Sequence, residues 1–414
     1  AASDVYKRQV DLSGRHRVGL GGLEPDAGEA VDGGAEAVAG PDGDAAQDVA
    51  LSAVLGLGPG ACEAPRTDEM PVALLGIGTG LAILEIGARI YVGRLVAIET
   101  PDMPDLDRAQ VHGLSWWAMK PNLEHYEVKS HSVAIDKTPL SDADSFMVST
   151  NALGLRNPPL EPEGSRVRIL AIGDSTTFGL GVDNHATWPA QLERLLNEEG
   201  GEPRYEVLNA GVTGYTAWLG LRFLRERWLE LDPALVIASF GVNDWRIWGA
   251  MSDPEREATW AGIEPGTRGL RVLKMARLVV NDIIKRDEAG PVPRLSEAEY
   301  QDALLEIQSL CVERGVPVFF VLWPEAGQIA LCDPTPVHYQ GVLRALEASG
   351  EVRVIDLFDA FVAAHEPIYF DSVHVNETGT LLAAEAISKA VKQVFAGLGE
   401  DRGTTRACRT SPDA

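Results

Sequence analysis

The sequence predicts an α/β fold in which a mainly parallel sheet of five strands is covered by helices on both faces. Short apolar runs alternate with segments of helical spacing from about residue 163 onward, a rhythm typical of doubly wound sheets. The 414 residues, with 45% hydrophobic and 23% charged content, have room for one large domain and additional segments. The strand candidates are 166–172, 205–210, 234–240, 316–322 and 352–357, and the helical patterns are 186–199, 216–230, 297–313, 336–348 and 378–396.

Net charge and cysteine content exclude two functional classes. A formal net charge of −25 argues against a nucleic-acid binder, because nothing offsets phosphate repulsion. The four cysteines show no CxxC spacing and no pairing with histidine, which argues against a zinc site. We expect neither a metal nor another cofactor. Cys311 and Cys332 are compatible with a disulfide in an extracytoplasmic domain or with two unrelated buried thiols, and the oligomeric state is left open.

The two ends of the chain do not have the composition of a folded domain. Residues 1–69 are rich in Ala, Gly and Asp without a sustained period, which predicts disorder. The run from Ser3 to Gln9 resembles translated adapter sequence, which favours non-native coding sequence before a start at Met70. Residues 398–414 are predicted to form a disordered tail.

An apolar segment and an irregular region precede the alternating pattern. Residues 71–93 are long enough to cross a membrane if Arg89 and Arg94 extend towards the interface, so we predict an anchor helix at 70–94. The alternative is an amphipathic or buried helix. Residues 95–162 are proline-rich and are predicted to be an irregular connection, with one strand at 145–149.

The first chemical signal is a serine directly after the first strand of the alternating region. The block Gly173-Asp174-Ser175-Thr176-Thr177-Phe178-Gly179 follows the apolar run 167–172. A serine at the end of a parallel strand lies at the carboxyl edge of the sheet, where open α/β folds bind their ligands. Ser175 is therefore the candidate nucleophile.

Three later blocks supply candidate partners for Ser175. Gly211 stands in the block NAGVTG after the second strand, Asn243 in GVND after the third, and Asp371 and His374 in DSVH near the end. A serine hydroxyl is a weak nucleophile that needs a base such as neutral imidazole. The imidazole in turn needs a carboxylate, here Asp371, to fix its tautomer.

The remaining requirement is a set of donors for a tetrahedral oxyanion. The backbone amides of Ser175 and Gly211 and the side-chain amide of Asn243 are predicted to form this oxyanion hole. Each block alone has an ordinary structural explanation, such as a turn glycine or a helix-entry cap. Four signals in order, three of them directly after strands of one predicted sheet, favour catalysis. We expect Asp174 and Asp244 to brace the neighbouring loops.

These blocks resemble those of the SGNH/GDSL hydrolase family, which are headed by Ser, Gly, Asn and His. The resemblance covers roughly 163–397 and implies a flavodoxin-like three-layer α/β/α fold with a Ser175, His374 and Asp371 triad. The arrangement of Leu153-Gly154-Leu155-Arg156 before the GDS block, behind an apolar segment, is similar to membrane-anchored bacterial members. The GxSxG elbow of ordinary α/β-hydrolases is absent around Ser175.

The resemblance implies ester hydrolysis through an acyl-enzyme on Ser175, with a small O-acyl ester such as an acetylated carbohydrate as substrate. One alternative is an O-acyltransferase that passes the acyl group to a polysaccharide hydroxyl. Another is a non-catalytic, membrane-tethered carbohydrate-binding module. The expected substrate favours a catalytic domain outside the cytoplasm, whereas the arginines that follow the anchor favour the opposite topology.

An insert at 245–295 interrupts the alternation directly after Asn243. Trp245 and Trp248 would lie on one side of it if that stretch is helical. We expect the two indoles either to form a substrate-binding wall for a sugar face or an acyl chain, or to pack in the core of the insert.

Overall fold

The computed structural model describes residues 78–90, 105–112, 116–129, 145–198, 204–247, 249–261, 272 and 290–404. Its strands are β1 Gln110–His112, β2 Trp117–Met119, β3 Tyr126–Lys129, β4 Ser145–Val148, β5 Val167–Gly173, β6 Tyr205–Gly211, β7 Leu235–Ser239, β8 Val318–Leu322 and β9 Val354–Asp356. Its α-helices are α1 78–90, α2 Asp105–Arg108, α3 Ser175–Phe178, α4 Trp188–Asn197, α5 Ala217–Glu226, α6 Asp253–Trp260, α7 Glu297–Glu313, α8 Ala326–Leu331, α9 Gln340–Ala348, α10 Phe358–Val362 and α11 Glu377–Thr404.

The centre of the fold is a five-stranded parallel sheet in the order β6-β5-β7-β8-β9. In the register, Gly173 of β5 lies opposite Gly211 of β6 and Ser239 of β7. The segments that follow these three strands therefore leave the sheet at the same edge. The predicted doubly wound α/β fold is confirmed, and so is the placement of the Ser175 block at the carboxyl edge.

Two helical layers cover the sheet, and the alternation of side chains along β5 shows how they form. Leu170 and Ile172 belong to the core on the side of α5 and α7, whereas Ile169 and Ala171 belong to the core on the side of α4 and α11. This period of two places successive side chains on opposite faces. Because β5 has a strand on each side and helices on both faces, its residues 169–172 form a continuous apolar run.

Capping residues define where the flanking helices begin. Thr187 caps α4 by accepting a hydrogen bond from the Ala190 amide at 3.4 Å. Ser296 and Glu299 form a reciprocal capping box at the start of α7. The predicted helix 297–313 therefore agrees with the structure at both ends, whereas α11 continues through Thr404 into the predicted disordered tail.

The region predicted as an irregular connection contains regular structure, which corrects that prediction for its described residues. β1 pairs antiparallel with β2, and β3 pairs antiparallel with β4. The strand predicted at 145–149 is confirmed as β4. β1, β2 and β3 have only three or four residues each, too short for a period of two to stand out in the sequence.

The predicted anchor overlaps α1. In this helix Glu85 and Arg89 form an ion pair at 2.7 Å, one turn apart. Leu81, Ile83 and Ile86 are exposed. Within the described ranges, no helix is both long enough and apolar enough to cross a membrane. Residues 1–69 and the rest of the predicted anchor lie outside the described residues.

Candidate active site

Ser175 is the first residue of α3, a short helix that one residue, Asp174, separates from the end of β5. Asp174 caps this helix, and its Oδ1 accepts hydrogen bonds from the backbone amide and the hydroxyl of Thr176, both at 2.8 Å. Gly173 has to lack a side chain, because a Cβ there would lie 2.2 Å from Oγ1 of Thr177. The strand therefore turns sharply into the helix and presents Ser175 at the edge of the sheet.

His374 and Asp371 complete a continuous chain of hydrogen bonds with Ser175. The Nε2 atom of His374 lies 2.8 Å from Oγ of Ser175, and its Nδ1 atom lies 2.6 Å from Oδ2 of Asp371. Oδ1 of Asp371 accepts the backbone amides of Val373 and His374 at 2.8 and 2.7 Å. The structure thus brings together the three predicted triad residues in one connected arrangement.

The charge on Asp371 determines the tautomer of the imidazole. Burial alone would raise the pKa of Asp371, but the hydrogen bond and charge of His374 and the two backbone amides lower that pKa to about 2. A carboxylate that stays ionised near neutral pH can only accept hydrogen bonds. Nδ1 of His374 therefore carries the proton, and Nε2 is the acceptor that faces the hydroxyl of Ser175.

The segment after β8 braces the loop that carries His374. The Ala326 amide donates to the Ser372 carbonyl at 2.8 Å, and the indole N–H of Trp323 donates to the Val373 carbonyl at 2.9 Å. The hydroxyl of Tyr369 donates back to the Pro324 carbonyl at 2.6 Å. The imidazole is therefore held by the backbone of a neighbouring element as well as by Asp371.

Asn243 lies beside the serine block and is buried. Its Nδ2 atom donates to the Tyr215 carbonyl at 3.0 Å and lies 3.5 Å from Oδ2 of Asp174. These contacts connect the segment after β7 with the segment after β6 and with the cap of α3. The amide side chain is thus fixed next to the residue that precedes Ser175.

The structure corrects the prediction that Gly211 supplies an oxyanion donor. The Gly211 amide donates to Oδ1 of Asn209 at 3.0 Å. A Cβ at Gly211 would lie 2.2 Å from the amide nitrogen of Phe178. Gly211 is therefore the last residue of β6 and a close-packing position beneath α3.

A second glycine of the same block, Gly214, is the better candidate for an oxyanion donor. Gly214 has a φ of +76°, in the region that favours glycine. Among the described residues, none accepts a hydrogen bond from the amides of Ser175 or Gly214. Nδ2 of Asn243 carries two N–H groups, of which one donates to Tyr215 and the other makes only a long contact of 3.5 Å with Asp174. The candidate donor set is therefore Ser175, Gly214 and Asn243. Both glycines of the block NAGVTG were visible in the sequence, but only the hydrogen-bond pattern separates their roles.

A model of the GDSL-like Lipase/Acylhydrolase family matches residues 171–381, just over half of the chain. The chain belongs to this family. The match begins in β5 and ends within α11, so it includes all four blocks. The residues matched by the family model include Ser175, His374 and Asp371, whose side chains the structure connects by hydrogen bonds.

Individual relatives show how far the similarity extends. The chain is 36% identical over 85 residues to "Esterase TesA" of Pseudomonas aeruginosa, covering 20% of this chain and 41% of that protein. It is 25% identical over 239 residues to "Acetylxylan esterase" of Xylanibacter ruminicola, covering 56% of this chain and 44% of that protein. The crystal structure of an acetyl xylan esterase, AlAXEase, gives a TM-score of 0.37 at 17% identity and covers 54% of this chain and 100% of its own. The chain spans less than half the length of the curated relatives it matches.

Two buried carboxyl groups support the loops of this GDSL-family site, as the sequence predicted. Asp244 accepts the backbone amides of Ala217 and Gly241 at 2.7 and 2.8 Å. Burial raises the pKa of Asp244 to about 7, although those two hydrogen bonds oppose the rise. Burial also raises the pKa of Asp174, against the hydrogen bonds from Thr176.

Of the two tryptophans expected either to form a substrate wall or to pack in the core of the insert, Trp245 is half-buried and Trp248 lies outside the described residues. The indole of Trp245 stacks on the imidazole of His338, with ring centroids 3.6 Å apart and planes 6° from parallel. No hydrogen-bond acceptor for its Nε1 atom lies among the residues that the structure describes. The stretch is not helical at this point, because Ile247 forms an antiparallel bridge with Pro293.

The described cysteines do not form the disulfide that the sequence left open. Cys311 is a buried free thiol, and Cys332 is an exposed one. Burial raises the pKa of Cys311 to about 12, so its thiol stays protonated and packs as a small apolar side chain. In the part of the chain that the structure describes, no group of three or more His, Cys, Asp or Glu residues could hold a metal ion.

Proposed function

We propose that this protein is a serine hydrolase that cleaves O-acyl esters through an acyl-enzyme on Ser175. The observation that carries the proposal is the unbroken hydrogen-bond chain from Asp371 through His374 to Ser175. A serine next to an imidazole whose tautomer is fixed by a carboxylate is the arrangement that activates an oxygen nucleophile. Membership of the lipase/acylhydrolase family supports the same chemistry.

The first half-reaction forms the acyl-enzyme. Oγ of Ser175 attacks the ester carbonyl carbon while Nε2 of His374 takes the hydroxyl proton. The negative charge that develops on the carbonyl oxygen is stabilised by the amides of Ser175 and Gly214 and by Nδ2 of Asn243. When the tetrahedral intermediate collapses, the bond to the alcohol oxygen breaks and His374 returns its proton to that oxygen. The alcohol then leaves.

The second half-reaction releases the acid. A water molecule attacks the acyl-enzyme carbonyl, and His374 takes one proton from the water. Collapse of the second tetrahedral intermediate breaks the bond to Oγ of Ser175, which regains the proton. Asp371 remains ionised throughout and stabilises the imidazolium that forms in both halves.

We propose an O-acetylated carbohydrate as the substrate class. One curated relative is named acetylxylan esterase, and the partly buried indole of Trp245 lies two residues after Asn243. Indole rings provide flat apolar surfaces suited to a sugar face or a short acyl chain. In the same site, a sugar hydroxyl that replaced water in the second half-reaction would make the protein an O-acyltransferase.

We further propose that α1 belongs to a membrane anchor, with the catalytic domain outside the cytoplasm. The exposed apolar side chains of α1, among them Ile83 and Leu84, support an apolar environment for this helix. A reporter fused after residue 400 and active only in the cytoplasm would contradict the topology.

The experiment that tests the proposed function measures turnover by the full chain. Acetyl and butyryl p-nitrophenyl esters report ester cleavage, and acetylated xylan reports release of acetate. The Ser175→Ala variant is the matched control, because removing one small hydroxyl leaves the packing of α3 intact. Ester turnover that disappears in the variant supports the proposal. If the acetyl group is transferred to added unacetylated xylan and no acetate is released, the protein is an O-acyltransferase and not a hydrolase.

A further inference from the structure

The loop after β6, residues 213–216, is held on one side by the hairpin of β1 and β2. The Trp117 indole N–H donates to the carbonyl oxygen of Thr213 at 2.8 Å. The Gln110 side chain donates to the hydroxyl of Thr213, also at 2.8 Å. The hydroxyl of Tyr215 donates in return to the Trp117 carbonyl. This hairpin lies outside residues 171–381, the part of the chain that the family model matches.

The same loop is held on its other side by a buried ion pair that comes from the insert. Nη2 of Arg294 lies 2.7 Å from Oδ2 of Asp253, and both side chains are buried. Nη1 of Arg294 donates to the Gly214 carbonyl. Oδ2 of Asp253 also accepts the hydroxyl of Thr216 at 2.9 Å. We call the Trp117 and Gln110 contacts on one side of the loop, together with the Arg294 and Asp253 contacts on the other, the clamp. The guanidinium of Arg294 lies 5.6 Å from the centre of the Trp117 ring, so the two sides of the clamp contact each other.

These contacts fix the two peptide planes that flank Gly214. The Thr213 carbonyl and the Gly214 amide belong to one planar unit and point in opposite directions. A hydrogen bond from Trp117 to that carbonyl therefore sets the direction of the Gly214 N–H. The next plane carries the Gly214 carbonyl, which Arg294 holds. A glycine in the left-handed region has little intrinsic preference that would keep these planes in place.

The position of Trp117 also closes the space above this glycine. A Cβ at Gly214 would lie 3.2 Å from Cζ2 of Trp117. The rings of Trp117 and Tyr215 pack edge to face with centroids 5.8 Å apart. The Tyr215 carbonyl in turn accepts the side-chain amide of Asn243 at 3.0 Å. The clamp is therefore connected to two of the candidate oxyanion donors, Gly214 directly and Asn243 through Tyr215.

We infer that Trp117 and Arg294 are positioning residues that aim the oxyanion-hole donors, so that the β1–β2 hairpin is part of the active centre. The inference rests on the proposed function, because an oxyanion forms only if Ser175 attacks an ester. A preorganised donor stabilises the transition state more than the ground state, so a misaimed donor lowers kcat more than it raises KM.

The experiment compares two conservative variants with two matched controls in the full chain. Trp117→Phe keeps an aromatic ring but removes the indole N–H. Its control is Trp218→Phe, which removes the part-buried 2.6 Å hydrogen bond from the indole of Trp218 in α5 to Glu257 in α6. Arg294→Lys keeps the positive charge but loses the planar fork. Its control is Arg168→Lys, in a pair with Glu206 at 3.1 Å near the amino end of the sheet.

We expect Trp117→Phe and Arg294→Lys each to lower kcat on p-nitrophenyl acetate by about ten-fold or more, with KM within about two-fold, since loss of an entire donor costs about 10²–10³. The dissociation constant of an alkyl boronic acid, which forms a tetrahedral adduct with the serine, should rise with the fall in kcat. The controls should lower Tm by similar amounts while kcat stays at the wild-type value.

Two outcomes would overturn the inference, and they are distinguishable from failure of the proposed function. If the wild type turns over the ester but both variants keep its kcat, the clamp does not aim the donors. If kcat falls in the variants and the controls in proportion to Tm, the contacts only stabilise the fold. A wild type that does not turn over the ester at all would instead reject the proposed function, and the clamp's role with it.

Discussion

Nε2 of His374 and Oγ of Ser175 lie 2.8 Å apart, although 199 residues separate them in the chain. The parallel sheet makes this contact, because β5 delivers Ser175 to its carboxyl edge and the loop before α11 returns to the same edge. The Ala326 and Trp323 contacts then hold that loop in place. The predictions below follow from this arrangement.

Asp371→Asn should lower kcat by about 10⁴, because an amide no longer selects the Nδ1-protonated tautomer of His374. KM should change much less. The measurement is steady-state kinetics on p-nitrophenyl acetate, with circular dichroism to show that the variant is folded. A fall of less than ten-fold would mean that His374 does not depend on Asp371 for its orientation.

The same carboxyl group should make the stability of the protein sensitive to acid. The pKa of Asp371 falls from the ordinary value of 3.8 to about 2 in the folded state, which corresponds to about 2 kcal/mol of stability. This contribution is fully present above about pH 4 and is lost as the pH falls through about 2. Urea unfolding of wild type and Asp371→Asn should therefore converge over that window. If the difference in free energy of unfolding between the two proteins stays constant from pH 5 to pH 2, the ionised Asp371 does not stabilise the fold.

Asn243→Ala should lower kcat by about 10²–10³, or roughly 3–4 kcal/mol, with little change in KM, since its amide acts on charge that develops in the transition state. Asn197→Ala is the control, because Asn197 also donates to a backbone carbonyl, that of Tyr205 at 3.0 Å, but does so at the end of α4. A rise in KM alone would show that Asn243 binds the substrate and does not stabilise the oxyanion.

Arg156→Lys should lower the free energy of unfolding by about 2–4 kcal/mol, because an ammonium cannot replace the planar fork and leaves buried carbonyls without donors. The guanidinium of Arg156 donates to the carbonyls of Met147, Phe178, Gly179 and Val182 and to Oδ1 of Asn184. Urea denaturation measures the loss. Arg166→Lys, which alters a more exposed ion pair with Glu161, should change stability by less than about 1 kcal/mol. Equal effects of the two variants would show that burial of Arg156 adds nothing.

Trp245→Ala should change the preference between acetyl and butyryl esters. Two methylene groups buried against an indole contribute about 1.6 kcal/mol, so the ratio of the two kcat/KM values should shift by about ten-fold. Trp218→Ala removes an indole that donates to Glu257 and packs against the core, and it should leave that ratio unchanged. If Tm falls sharply in Trp245→Ala and the ratio stays the same, Trp245 packs only against His338 and the core.

The sequence was sufficient for the elements whose local signals agree with their burial. The strand candidate 234–240 is almost entirely apolar and the helix candidate 297–313 begins at a capping box, and the structure contains both as β7 Leu235–Ser239 and α7 Glu297–Glu313. The hairpin that contains Trp117 could not be predicted, because its strands are short. The side chains of Gln110 and Trp117 contact Thr213, about a hundred residues further along the chain, and local sequence does not reveal such a contact. The apolar run of β5 was likewise enough to predict that Ser175 lies at the carboxyl end of a strand.

In the candidate site, the sequence predicted which blocks meet but not which atom of a block acts. A glycine after β6 is predictable, but Gly211 and Gly214 stand in one block, and only the hydrogen bond from Gly211 to Asn209 distinguishes them. The condition of a helical stretch, on which the shared side of Trp245 and Trp248 depended, is not met at Ile247, which pairs with Pro293. A hydrogen bond between two residues of one block decided the first point, and a pairing between the two ends of the insert decided the second. Neither contact is visible in the apolar periodicity of the sequence.

The most direct test of the central claim is covalent labelling of the full chain by a fluorophosphonate, followed by mass spectrometry of the digested protein. The hydrogen-bond chain from Asp371 to Ser175 predicts a single adduct on the peptide that contains Ser175, formed far more slowly in His374→Ala and absent in Ser175→Ala. An adduct on a different serine, or labelling of Ser175 at the wild-type rate in His374→Ala, would contradict the assignment of Ser175 as a nucleophile activated by His374.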